Sequence, residues 1–336
     1  MSRVAVVGGG SWGTALANLL ADNGHPVHLW VRDPELAVTL DRERQNSDYL
    51  PGIHLADGVA PTCDLAAAVC DATCVVSAVP SHAVREVMGR AGACLDEDAL
   101  VISTSKGIEN DTLARMTEVL DEVLPAGAGD LVAVLSGPSF AVEVARGYPT
   151  AVTAAAAELG VAERVRDLFG NPRFRIYTST DVVGVELGGA VKNIVAIATG
   201  ICDGLRYGHN ARAALITRGL AEIARLGVAL GGEPLTFMGL TGLGDLVLTC
   251  TADLSRNRTV GLRMGRGETL DEIRSDMRMV AEGVRTTRSV RDLARRYDVE
   301  MPITEEVHAM LYEGKDPRVS VEDLMTREFK PELERR

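Results

Sequence analysis

Lysine is nearly absent from this chain. Of its 35 basic residues only four are lysine, namely Lys106, Lys192, Lys315 and Lys330, so arginine serves almost everywhere a cation will do. The lysines that remain are candidates for work a guanidinium does badly, such as proton transfer or fitting a compact ammonium beside a substrate oxygen. Lys315 and Lys330 lie in a charged C-terminal tail that is expected to be loosely held, and both are expected to be solvated. Lys106 and Lys192 lie in glycine-rich or apolar surroundings. Metal-ligand spacing is missing too. The six cysteines (Cys63, Cys70, Cys74, Cys94, Cys202, Cys250) contain no C-x-x-C pair, lie mostly in apolar stretches and read as free thiols. The six histidines show no metal pattern either. His25 and His28 straddle the start of a strand, where an offset of three points them to opposite faces. No metal is expected.

An excess of positive charge is also lacking. The formal net charge of -12 excludes a broad nucleic-acid footprint, while leaving room for a small basic pocket around an anionic substrate. Met1-Ser2-Arg3 leads into an apolar strand without a charged region and a long apolar one before it, so no signal peptide is expected. The most apolar later stretch, 187–202, contains Lys192 and Asn193 and is short for a membrane span. Together these absences point to a cytoplasmic location, with neither membrane nor nucleic acid as a partner. No internal repeat or low-complexity segment is visible.

What is present is a length of 336 residues, enough for about two domains. Short apolar runs at 4–7, 27–31, 73–79, 100–104, 131–135, 150–154 and 174–177 alternate with helical segments. Such runs imply parallel βαβ units with both sheet faces covered. Beyond residue 181 strand-like runs largely vanish, and 183–200, 211–230, 269–274, 285–296 and 305–312 read as helices. The expected fold is α/β, a doubly wound Rossmann-type parallel sheet of seven or eight strands followed by a mostly α-helical part. The expected domains are 1–180, binding a dinucleotide, and 181–336, binding the substrate.

Gly8-Gly9-Gly10-Ser11-Trp12-Gly13 directly follows the first strand and opens a helix ending at Gly24. In that context Gly8, Gly10 and Gly13 permit a tight turn and close backbone approach to a pyrophosphate at a helix N-terminus. The end of the second strand offers Arg32, which can accommodate the 2′-phosphate of NADP, then Asp33, which can bind the ribose of NAD or cap the helix starting at Pro34. Both readings stand, with NADP favoured. Val79-Pro80-Ser81, Ser105-Lys106-Gly107 and Ser136-Gly137-Pro138-Ser139 each follow a strand. Ligands bind at that edge of open α/β sheets, so three loops converging there predict a cleft with Lys106 at its mouth. Lys192 sits on an apolar helix bridging the two expected domains, where it must be paired or shifted in pKa; a snorkelling lysine is the bland alternative. Gly242-Leu243-Gly244-Asp245-Leu246 suggests backbone packed around a fixed carboxylate. Ser255-Arg256-Asn257-Arg258 offers donors for a phosphate dianion, although, taken by itself, the motif is better explained as a capping serine with a solvated basic turn.

These motifs occur in an order that resembles the bacterial-type NAD(P)-dependent glycerol-3-phosphate dehydrogenases from Gly8 to about Leu311. The match rests on GGGSWGTALA at 8–17, YLPGI at 49–53, SKGIE at 105–109, SGPSFA at 136–141, KNIVAI at 192–197, NARAALITRG at 210–219, GLGDL at 242–246 and SRNR at 255–258. The resemblance implies reversible hydride transfer between NAD(P)H and dihydroxyacetone phosphate, giving sn-glycerol 3-phosphate for phospholipid synthesis, and a homodimer. It implies that Lys192 transfers the proton, with Lys106, Gly137, Ser139, Asp245, Ser255, Arg256 and Asn257 as further substrate contacts. As cofactor contacts it implies Ser11, Trp12, Arg32, Tyr49, Lys106, Ala141, Arg256, Val280 and Glu282. Asp245 would orient Lys192 or a terminal hydroxyl. Ala252 departs from the small polar residue common at its place. A 6-phosphogluconate-type hydroxyacid dehydrogenase would share the helix lysine, but the asparagine expected four residues after it is Ala196. A nucleotide-sensing regulator would need neither that lysine nor the basic loop.

Overall fold

The structure, a computed structural model, describes residues 2–125, 128–277, 281–329 and 331–332. Its first part is one sheet of eight strands: β1 (Val4–Val7), β2 (Val27–Trp30), β3 (Val59–Thr62), β4 (Cys74–Ser77), β5 (Leu100–Ser103), β6 (Val132–Ser136), β7 (Thr150–Ala156) and β8 (Phe174–Ser179). Seven helices are interleaved with them: α1 (Ser11–Asp22), α2 (Pro34–Glu43), α3 (Leu65–Val69), α4 (Val84–Gly92), α5 (Met116–Val123), α6 (Ala141–Ala145) and α7 (Leu159–Phe169). Both faces of the sheet are buried, which is why its central strands read as unbroken apolar runs. Val4 and Val6 pack into one core with Leu16 and Leu20 of α1, while Ala5 and Val7 face a second core with Met88 of α4 and Leu120 of α5. The spatial order is β3-β2-β1-β4-β5-β6-β7-β8. Strand order therefore reverses between β1 and β4, and that reversal opens a crevice at the strand C-termini.

Two details depart from the sequence reading. β3 was not foreseen; it is an edge strand containing Pro61 and only half buried, so it lacks an apolar signature. More consequentially, β7 runs antiparallel to β6 and carries β8 with it. The connection between them holds only the five-residue α6, too short to return the chain along the sheet as a parallel crossover requires.

The second part is helical: α8 (Val182–Gly204), α9 (Gly208–Ala229), α10 (Asp245–Thr251), α11 (Arg256–Gly265), α12 (Leu270–Asp276), α13 (Glu282–Arg296), α14 (Pro302–Tyr312) and α15 (Pro317–Met325). Asp181 starts α8 by accepting from the Gly184 N–H at 2.8 Å, and it also accepts from Glu233 N at 2.9 Å. Helix α8 is long and apolar enough to cross a membrane, yet 89% of its most apolar window is buried inside the fold. Helices α9, α10, α11, α13 and α14 pack around it, so its all-round apolarity is that of a core helix. Helix α11 lies against it with almost no gap: a Cβ on Gly200 would stand 2.1 Å from the Arg258 carbonyl oxygen, and one on Gly261 would stand 2.0 Å from that of Ile197.

The tail is also more ordered than its composition suggests. Asp316 caps α15, and Lys315 is not solvated but paired with Glu306 and Asp323, each at 2.6 Å. Lys330 lies outside the described residues.

Candidate active site

Four turns meet at the crevice. Gly8, with φ +118°, brings the chain against the neighbouring loop, where a Cβ would stand 2.7 Å from the Ala78 carbonyl oxygen. A Cβ on Gly13 would be 1.8 Å from the Gly8 carbonyl oxygen, whereas one on Gly10 would meet nothing within 4 Å. The turn is thus closed behind and open in front. Gly10 caps α1 without any side-chain hydrogen bond, which leaves the first N–H groups of a twelve-residue helix aimed at open space. That arrangement fits a pyrophosphate. Ser11 donates its hydroxyl to the Tyr49 carbonyl at 2.6 Å, placing those two together, and Trp12 packs its ring on the core beneath. Ala141 opens α6 on the other side of α1.

At the end of β2, Asp33 is occupied as the cap of α2, accepting from Glu35 N at 2.9 Å. Arg32 is exposed, and no described side chain pairs with it.

The strand-end loops are tied to one another. Ser105 donates to the Val79 carbonyl at 2.6 Å, and the Lys106 ammonium donates to that of Gly137 at 3.0 Å. Ser139 turns its hydroxyl back onto the same Gly137 carbonyl at 3.0 Å. Lys106 also reaches across to α10, where its Nζ lies 2.6 Å from Asp245 Oδ2. The other oxygen of Asp245 is 2.9 Å from Lys192 Nζ. One carboxylate therefore holds both rare lysines.

Lys192 and Asp245 are almost wholly buried, with side chains 6% and 2% exposed. Burial lowers the pKa of Lys192 to about 8; Lys106 pushes the same way and Asp245 opposes. Burial alone would raise the pKa of Asp245, but the ammonium groups of Lys106 and Lys192 outweigh it and hold the carboxyl below its usual range. Thr249 completes the group. It accepts from Lys192 at 2.5 Å while its own hydroxyl lies 2.6 Å from the Asp245 carbonyl oxygen. An ammonium has three N–H donors. Each lysine spends two here, leaving one apiece for a ligand in the cleft.

Helix α11 brings the second cluster. Ser255 is its cap, accepting from Arg258 N at 3.2 Å, and Arg258 is engaged by Asp203 at 2.7 Å and Asp253 at 2.8 Å. Ser255 is thus a helix cap, while Arg258, 11% exposed and held by two carboxylates, is not a solvated basic residue. Arg256 differs: it is exposed at the start of α11, has no described ion pair, and desolvation by its neighbours lowers its pKa, with Glu282 opposing. Asn257 is buried and accepts from Gly283 N at 2.9 Å, so it links α11 to the start of α13 and keeps its amide N–H groups for other partners. Glu282, the first residue of α13, accepts from Ser81 Oγ at 2.6 Å and Ser81 N at 3.3 Å. Val280 lies outside the described residues. Among the described residues no group of His, Cys, Asp or Glu is placed to hold a metal.

Two participants were missed from sequence. Thr249 follows Asp245 by four residues on one helix, a spacing that puts both on one face and could have flagged it. Ser81, in a loop already noted, gave no hint that its partner was 201 residues away.

A dinucleotide turn at a sheet switch point, facing a buried low-pKa lysine on a helix beyond the sheet, defines a nicotinamide-dependent dehydrogenase. The comparisons name the kind. The family models described as the NAD-dependent glycerol-3-phosphate dehydrogenase N-terminus and C-terminus match residues 3–162 and 181–322. The chain belongs to that family, and its enzyme class is that of NAD(P)-using oxidoreductases acting on a CH–OH group. A curated relative, the glycerol-3-phosphate dehydrogenase [NAD(P)+] of Citrifermentans bemidjiense, is 56% identical over 330 residues, 98% of each chain. That of Bacillus licheniformis is 49% identical over 335 residues, covering 99% of this chain and 97% of its own. The crystal structure of glycerol-3-phosphate dehydrogenase from Coxiella burnetii superposes with a TM-score of 0.93 at 42% identity, covering 97% of this chain and 99% of that one.

Proposed function

We propose that this enzyme reduces dihydroxyacetone phosphate to sn-glycerol 3-phosphate, and the reverse, with Lys192 as the proton-transfer residue. The observation that carries this reading is the Lys106–Asp245–Lys192 cluster at the mouth of the dinucleotide crevice. The turn from Gly8 to Gly13 would hold a nicotinamide dinucleotide, which would supply the hydride for C2 of the substrate. Lys192, with one N–H left, donates a proton to the C2 oxygen as negative charge develops there. Lys106 holds the same oxygen or the neighbouring hydroxyl from the other side of Asp245. Arg256 and Asn257, together with Ser255, Gly137 and Ser139, are assigned to anchoring the phosphate away from the reacting carbon, which would fix C2 against Lys192. In the oxidative direction neutral Lys192 is the base.

The turn from Gly8 to Gly13, with Ser11, Trp12, Tyr49, Ala141, Val280 and Glu282, is assigned to the cofactor. Asp33 being spent as a helix cap favours NADP through Arg32. The division into a dinucleotide domain at 1–180 and a substrate domain at 181–336 goes with this, and is supported by family models that end at 162 and begin at 181. We also assign a homodimer, supported by the exposed Leu235, Met238, Leu243 and Val247, and a cytoplasmic location, where the exposed free Cys63 would stay reduced.

Following NADPH absorbance with dihydroxyacetone phosphate and, separately, with hydroxyacid or keto-acid substrates tests the assignment. Turnover confined to dihydroxyacetone phosphate is expected. Turnover of a hydroxyacid alone would overturn it.

A further inference from the structure

The segment 44–56, between α2 and β3, is strapped to α1 at both ends. Its ends are drawn together by the Arg44 guanidinium, which donates to the Ala56 carbonyl at 2.6 Å, and by the Leu55 N–H, which donates to that of Arg44 at 2.7 Å. Asn18 of α1 ties down the later end, donating to the His54 carbonyl at 2.8 Å and accepting from Ala56 N at 3.0 Å. Asn46 ties down the earlier end. It is wholly buried, and a primary amide in such a place needs partners for both its donors and its acceptor.

Asn46 finds its partners inside the glycine turn. Its Nδ2 donates to the Gly9 carbonyl at 2.9 Å and to Thr14 Oγ1 at 2.8 Å, while its Oδ1 accepts from Tyr49 N at 3.3 Å. Gly9 is confined on another side as well, since a Cβ there would stand 2.1 Å from Val31 Cγ1. The peptide joining Gly9 to Gly10 is trans and planar, so its C=O and N–H point in opposite directions. Holding the Gly9 oxygen against the strap therefore turns the Gly10 N–H away from it. No described group accepts from that N–H, and a Cβ on Gly10 would meet nothing within 4 Å. The donor is left free at the start of α1, where the pyrophosphate is assigned. Without the amide little else fixes this peptide: glycine on both sides leaves it free to turn, and the Thr14 hydroxyl reaches the Gly9 oxygen only at 3.5 Å.

We propose that Asn46 is a positioning residue for the cofactor, which by tethering the Gly9 carbonyl aims the Gly10 N–H at the pyrophosphate. The inference rests on the assignment of this turn to the dinucleotide.

Dissociation constants of the full chain for NADPH, NADH and ADP-ribose, which share the pyrophosphate, test it. Asn46→Ala is expected to weaken all three by a common factor of about ten. The KM for dihydroxyacetone phosphate and the turnover at saturating NADPH should each change less than about twofold. Should Asn46→Ala not fold, Asn46→Asp takes its place. It keeps the side chain's shape, but its carboxyl can donate to Gly9 only when protonated, so its deficit against wild type should shrink as pH falls. Asn18→Ala frees the other end of the same strap and should leave all three constants within about twofold of wild type, even where it lowers the melting temperature. Wild-type affinity in Asn46→Ala, a loss confined to one nucleotide, equal weakening in Asn18→Ala, or a pH-independent deficit in Asn46→Asp overturns the proposal. If Gly13→Ala loses cofactor binding while Asn46→Ala keeps it, only this inference fails. If Gly13→Ala binds cofactor as tightly as wild type, the assignment of the turn itself fails.

Discussion

Lys192 owes its chemistry to being buried beside one carboxylate and a second ammonium. With its pKa lowered to about 8, it is a proton donor below that pH and a base above it. The turnover number for ketone reduction is therefore expected to fall as pH rises through about 8, and that for alcohol oxidation to rise over the same interval. Steady-state profiles in both directions check the sign. Lys192→Met should lower both rates by about 10²–10⁴-fold. Lys192→Arg should do nearly as badly, because a guanidinium stays charged. Thr249 acts through Lys192 by accepting from its ammonium. Thr249→Val removes an acceptor that favours the charged form, so the reduction profile should shift to lower pH, with turnover reduced about tenfold and the KM for cofactor unchanged. At this scale residue types were legible and pairings were not. Rarity singled out Lys106 and Lys192. That Asp245 binds both, the first across 139 positions of chain, depends on distances that no local pattern encodes.

Among the elements, the contact between α8 and α11 sets the distance from Lys192 to Arg256 and Asn257. Gly261 has no room for a side chain. Gly261→Ala should force the helices apart, cost about 1–3 kcal/mol by overpacking, and raise the KM for dihydroxyacetone phosphate more than that for NADPH. Urea unfolding and kinetics together would show this. A second element carries a pH dependence of its own. Glu222 of α9 caps the start of α14, accepting from Ile303 N at 2.7 Å and Thr304 N at 3.3 Å, and burial pushes its carboxyl up to about 7 from 4.5. The native state keeps that proton up to about pH 7, while the unfolded chain releases it near 4.5. Its contribution to stability is therefore fully present below pH 4.5 and is lost as pH rises through about 7. Glu222→Gln should flatten that limb of the stability curve, a difference of about 3 kcal/mol in order of magnitude. Long elements were the most legible. Helices α8 and α9 follow from apolar periodicity, whereas β3, α10 and α11 are short or polar and carry little of it.

For the whole molecule, cofactor binding and stability are linked. The crevice lies between the strand ends and α13, so a dinucleotide there should stabilise both parts, by about 2.7 kcal/mol at one hundred times its dissociation constant. Gly13→Ala puts a methyl group into the Gly8 carbonyl and should abolish the NADPH-induced rise in melting temperature, read by calorimetry. A rise as large as in wild type would show that the turn does not hold the cofactor.

The glycine turn after β1, the alternation of apolar strands with helices and the helical second part were determined by sequence alone, because each depends on neighbours within a few residues. Tertiary structure decided the reversed direction of β7, the pairing of Lys315, the spending of Asn257 on the start of α13, and the proton affinity of Lys192. Those depend on which groups far apart in the chain come within hydrogen-bond reach once water is excluded, and burial then sets what each one costs.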